Sequence, residues 1–299
     1  MVSSRPFISA LCLLVGTHVL AQPPAPTQAN VPYGKHANQV LDFYQAKAEQ
    51  PTPLLFSVHG GGWMGGDKVN PDFLAKCLEN GISVVSINYR FISDAQAEQI
   101  TPPVKACLDD SARALQFVRS KAAEWHIDKT RVGGCGGSAG GFTVLWLAFS
   151  PDMADAKNAD PIAHESTRLR CVMAFVPQTT LDPKQMQAWI PNNEYGNHAF
   201  GLVNMQEFLD KRDSLMPWIE RFSPYALASA DDPPVLLFYD NPSTLGQPYK
   251  DPPHSGNFGG GIAEKLKAVG IEHEINYNND YGHMKYPDLF GFLKEKLTK

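Results

Sequence analysis

The chain has 299 residues, 43% of them hydrophobic and 19% charged, which excludes a disordered chain and fits one large α/β domain or two ordinary ones. Lys and Arg number 26 against 31 Asp and Glu, a formal net charge of −5. There is no cationic surplus to neutralise phosphates, so nucleic acid is not expected as a partner.

Residues 1–21 come first. Arg5 precedes a largely apolar run over 7–20, and Ala21 offers a small residue at a cleavage point. This reads as a secretory signal peptide, with a secreted or periplasmic destination. The run is short and interrupted by Ser9, Thr17 and His18, and no other segment is long and apolar enough to span a bilayer. Residues 22–30 read as a polar, proline-rich linker.

Strand and helix patterns then alternate. Residues 39–44 alternate like an early antiparallel strand. A short apolar run over 54–58 ends in a glycine cluster, and 71–80 reads as a helix closed by Gly81. Residues 82–89 are rich in β-branched side chains and read as a buried strand. A long helix is expected over 103–125, opening on Pro103. Next come a strand at 131–135, an apolar helix at 139–149, and buried strands at 171–176 and 234–239. A helix near 262–269 closed by Gly270, a strand at 271–277 and a helix at 287–297 complete the series. This alternation predicts an α/β fold with a mostly parallel central sheet and helices on both faces.

Two stretches break the pattern. Residues 151–170 are polar and acidic, and 179–223 hold helical pieces with Trp189, Tyr195, Phe200, Trp218 and Phe222. The second reads as a small cap inserted into a single domain over 31–299. Its aromatics either line an acyl or ring pocket or form the cap's own core.

Cys12 falls within the signal segment, and Cys77, Cys107, Cys135 and Cys171 remain. They form no C-x-x-C and have no zinc-ligand spacing. Two readings stay open: a Cys77–Cys107 disulfide in an exported protein, or four buried free cysteines.

The chemistry is carried by glycine-rich turns. Gly136-Gly137-Ser138-Ala139-Gly140 matches G-x-S-x-G between an apolar strand and an apolar helix, the context of a serine nucleophile held on a strained turn. His59-Gly60-Gly61-Gly62-Trp63 follows an earlier strand. Its glycines free the backbone to aim amides at an oxyanion. Gly61 and Gly62 are the expected donors, with the Ala139 amide completing the hole, and His59 is expected to brace the loop.

Such a serine needs a base and an orienting carboxylate, in chain order Ser, Asp, His. His283, in the loop after the last predicted strand, stands where that base belongs. His273 lies within the strand pattern, and His254 precedes it and would need a different loop geometry. For the acid, Asp240, Asp251 and Asp280 are all candidates on position alone.

Together these residues resemble the α/β-hydrolase superfamily, in particular small esterases with an HGGGW loop of the hormone-sensitive-lipase-like and acetyl-esterase or feruloyl-esterase-like groups. Residues 63–68 look like the group's GGGW…GD segment, Asn88-Tyr89-Arg90 like its strand end, and 106–119 with 127–131 like its approach to the elbow. Residues 251–270 resemble the segment that carries the acid, so the resemblance implies Asp251; it makes Asp110 structural. The chain departs from the pattern in its long proline-rich loop before Asp251. An α/β-hydrolase fold over roughly 31–297 is implied, with a Ser138–His283–Asp251 triad and no cofactor or metal. The implied activity is a secreted serine esterase acting on short-chain acyl or plant-polysaccharide-derived esters, free or polysaccharide-linked. A serine peptidase of the same fold shares the motifs, and a catalytically silent binding module is the third reading.

Overall fold

The computed structural model describes residues 24–68 and 73–298. The signal-peptide reading of 1–21, the first two linker residues and the first two positions of the helix expected at 71–80 lie outside the described residues. Among the described residues no helix is long and apolar enough to cross a membrane.

One eight-stranded sheet organises the described chain. Its strands are β1 Gln28–Pro32, β2 Val40–Tyr44, β3 Thr52–Val58, β4 Ser83–Ile87, β5 Ile127–Gly137, β6 Cys171–Phe175, β7 Val235–Tyr239 and β8 His273–Tyr277. They lie in the order β1-β2-β4-β3-β5-β6-β7-β8. β1 and β2 pair antiparallel, as do β2 and β4, and the other pairings are parallel. The apolar runs of β3, β4 and β7 are buried at every position, because a parallel sheet covered on both faces leaves no polar side.

The helices are α1 Leu74–Glu79, α2 Ile92–Ala97, α3 Val104–Ser120, α4 Ala139–Phe149, α5 Pro183–Trp189, α6 Met205–Phe222, α7 Pro224–Leu227, α8 Asn257–Val269 and α9 Leu289–Thr298. Strand residues alternate between two cores. Leu54, Phe56 and Val58 pack with α3, α4 and α8 on one face. Leu55, Val84 and Leu236 pack with α1 and α9 on the other.

Two expectations need correction, and one open alternative is decided. Residues 28–30, read as linker, begin β1: the Thr27 amide donates to the Phe43 carbonyl at 2.7 Å, and the Asn30 amide to Asp42 Oδ1 at 2.7 Å. An exposed edge strand needs only backbone pairing, so it carries no apolar signature. α8 begins at Asn257, five residues before the expected start, and takes in Gly259, Gly260 and Gly261. A Cβ on Gly259 would lie 2.4 Å from the Tyr239 ring, and one on Gly261 2.5 Å from the Trp189 ring. Close packing selects those glycines. Finally, all four described cysteines are free and buried. Cys107 packs in one core and Cys77, Cys135 and Cys171 in the other, so the sheet itself separates Cys77 from Cys107.

The segment between β6 and β7 carries α5, a 3-10 turn at Asn197–Phe200, α6 and α7. Its aromatics divide their roles. Phe200 and Phe222 join the core. The Trp189 ring meets Tyr225 edge-on, with centroids 5.5 Å apart, and Trp218 stacks on Phe222 at 5.6 Å. Tyr195 goes elsewhere.

Candidate active site

Ser138 sits at the junction of β5 and α4 with φ 51° and ψ −122°. A non-glycine residue held there costs about 1–3 kcal/mol. Two glycines make the turn possible: a Cβ on Gly136 would come within 2.7 Å of the Val58 carbonyl, and one on Gly140 within 2.1 Å of it. The elbow therefore presses directly against the end of β3, where the glycine loop starts.

That loop is pinned from several sides. The Tyr89 hydroxyl donates to the His59 carbonyl at 2.9 Å, and the two rings stack with centroids 4.5 Å apart. His59 Nδ1 donates to the Gly60 carbonyl at 2.7 Å, and burial lowers the imidazole pKa, keeping it neutral. His59 braces and does not reach Ser138. Gly61 and Gly62 both have positive φ, 100° and 63°, which side-chain-bearing residues adopt only with strain. Trp63 is buried and donates from Nε1 to Thr143 Oγ1 at 3.1 Å, fastening the loop to α4. Gly61, Gly62, Met64, Ser138, Tyr195, Pro253 and His254 line one open cavity of about 390 Å³. Ala139 is the first residue of α4, where backbone amides have no intrahelical acceptor and the helix dipole favours negative charge.

Asp251 precedes a 3-10 turn over Pro252–His254. Three residues per turn bring side chains at i and i+3 to one side, and the prolines preset the backbone. His254 Nδ1 lies 2.8 Å from Asp251 Oδ2, and His254 Nε2 lies 3.0 Å from Ser138 Oγ. The carboxylate only accepts, so the proton sits on Nδ1 and Nε2 is left to accept from the serine hydroxyl. Gln178, itself buried, donates to the Pro253 carbonyl. The loop 241–256 is anchored by Asn257. Its Nδ2 donates to the carbonyls of Trp189 at 2.8 Å and Thr244 at 3.0 Å, and its Oδ1 accepts from the Thr244 amide at 2.6 Å.

The structure does not bring His283, the expected base, to Ser138. The His283 side chain is 92% exposed and faces Asp280 at 3.8 Å, in a separate depression shared with Glu274, Tyr277 and Met284. The loop after β8 folds back along that edge strand: Asn276 Nδ2 donates to the Asp280 carbonyl at 3.0 Å, and the Lys285 amide to Glu274 Oε1 at 3.1 Å. The loop after β7 instead brings His254 to Ser138 and Asp251 to His254. Asp240 is exposed at the end of β7, and His273 Nδ1 is taken by the Ile271 carbonyl at 2.8 Å. The signal for His254 was the D-P-P-H spacing, which a 3-10 turn makes productive.

Two further residues carry no motif. Tyr195 lines the cavity beside Ser138. His198 Nε2 donates to the Gly62 carbonyl at 3.1 Å, and burial lowers its pKa, keeping it neutral. Among the described residues no group of three or more His, Cys, Asp or Glu side chains is placed to hold a metal ion. A hydroxyl, an imidazole and a carboxylate in line beside backbone donors form a constellation for acyl transfer.

The BD-FAE family model matches residues 41–244, a stretch that takes in the glycine loop and the elbow but stops before Asp251 and His254. A versiconal hemiacetal acetate esterase of Dothistroma septosporum is 30% identical over 161 residues, 53% of this chain and 44% of that protein. A carboxylesterase NlhH of Mycobacterium tuberculosis is 37% identical over 91 residues, 30% of this chain and 26% of its own length. These matches span less than half of either relative. A solved truncated form of a carbohydrate esterase from gut microbiota superposes with a TM-score of 0.67 at 19% identity, covering 91% of this chain and 96% of that one. At that identity the likeness establishes the fold, an α/β-hydrolase.

Proposed function

The chain belongs to the BD-FAE family, and we propose that it is a carboxylic ester hydrolase working through Ser138, His254 and Asp251. The observation that carries this reading is the hydrogen-bonded line from Asp251 through His254 to Ser138, opening on a cavity floored by Gly61 and Gly62. Ser138 Oγ attacks the ester carbonyl as its proton passes to His254 Nε2. Asp251 holds the imidazole and stabilises its charged form. The amides of Gly61, Gly62 and Ala139 receive the oxyanion. His254 then protonates the departing alcohol, and water, activated by the same imidazole, releases the acid and regenerates the serine.

The substrates proposed are small-molecule or polysaccharide-linked esters with short acyl groups. An open cavity of about 390 Å³ beside Ser138 supports a small acyl group joined to a larger alcohol. The similar proteins include a versiconal hemiacetal acetate esterase and a carbohydrate esterase, which agrees with that class. Residues 1–21 support export to the periplasm or medium.

The test is turnover of acetyl, butyryl, long-chain and aromatic esters by the wild type and Ser138→Ala. Acetyl and other short esters should turn over fastest, and the variant should lose activity while staying folded. Full turnover by Ser138→Ala would sink the reading.

A further inference from the structure

We propose that the Tyr195 hydroxyl donates a third hydrogen bond to the oxyanion formed at Ser138, alongside the backbone amides. The proposal rests on the serine-esterase reading above. Tyr195 shares the cavity with Ser138 and His254. Its hydroxyl lies so near the oxyanion loop that a Cβ on Gly62 would come within 2.5 Å of it. Among the described residues that hydroxyl has no hydrogen-bonding protein partner, while the backbone carbonyl of the same residue is held by Asn193 Nδ2 at 2.9 Å.

The side chain is held in place. Asn193 is fully buried, and Gly196, with φ 114°, turns the chain directly after Tyr195. The Tyr195 ring meets His198 edge-on at 4.6 Å, and His198 is hydrogen-bonded to the Gly62 carbonyl. Tyrosine and oxyanion loop are thereby fixed to each other, so a donor on one keeps its register with donors on the other. Fixed donors aimed at developing charge are what accelerate acyl transfer. Burial pushes the phenol up to about 12, so the hydroxyl keeps its proton wherever an imidazole can act as base. A half-buried hydroxyl with no protein partner among the described residues is free to turn to the oxyanion.

Tyr195→Phe removes one oxygen and no packing. Its kinetics should be measured on 4-nitrophenyl acetate and on an acetylated xyloside, with phenylboronic acid as the tetrahedral probe and Ser138→Ala alongside. Expected is a fall in kcat of about 10²-fold on both esters, an unchanged KM, and boronate inhibition weakened in parallel. The melting temperature should not move, because no protein hydrogen bond is lost. Unchanged kcat with unchanged boronate affinity overturns the proposal. So does a loss confined to the KM of the xyloside, which would make Tyr195 a reader of the alcohol. Activity retained by Ser138→Ala would mark failure of the parent reading instead.

Discussion

A histidine three residues after an aspartate meets its carboxylate only when the chain between them turns tightly, and Pro252 and Pro253 supply that turn before His254. The strained serine turn is written in adjacent residues, since Gly136 and Gly140 must lack side chains for the elbow to touch β3. The partner of Ser138 is not local: it depends on where the loop 241–256 folds. Its place in the loop after the last strand pointed to His283, whereas the contact with Ser138 is made by His254. His254→Ala should lower kcat by about 10³-fold or more, and His283→Ala, at an exposed position, should leave it unchanged. Steady-state kinetics of the two variants decide this, and the reverse pattern would return the role to His283.

At the level of elements, strands buried on both faces were legible because β3, β4 and β7 are apolar without alternation. β1 was hidden by its polar edge position, and the start of α8 by glycines whose reason is tertiary. That packing matters for chemistry. α8, the loop 241–256 and the end of α5 meet at Asn257, which is 1% exposed. One side chain satisfies the carbonyls of Trp189, Thr244 and Gln247 and the amide of Thr244, a set that no periodicity signals. Asn257→Ala leaves these buried groups unpaired and should cost about 2–3 kcal/mol of stability. Because the same loop carries Asp251 and His254, kcat should fall as well. Thermal melting and kinetics together check this: a stability loss with full kcat would mean that the loop holds its shape without Asn257.

Across the whole molecule, the sheet is a partition, and the partition fixes the cysteine chemistry. The sequence left a Cys77–Cys107 bond open because spacing says nothing about which side of a sheet a thiol faces. Cys107, on α3, is packed on one face of the sheet, while Cys77, Cys135 and Cys171 are packed on the other. Burial pushes the Cys135 and Cys171 thiols up to about 12, which removes the thiolate needed for exchange. Cys12 lies in the proposed leader, so the exported chain would carry four of the five cysteines. Thiol titration of exported protein in denaturant without reductant should therefore give four, and the native protein should react only as fast as it unfolds. Two thiols in denaturant would reveal a disulfide. Five would show that residues 1–21 remain attached, against the export proposal. Reductant should leave the melting temperature unchanged, since the two packed cores, not a covalent staple, hold the sheet that carries Ser138.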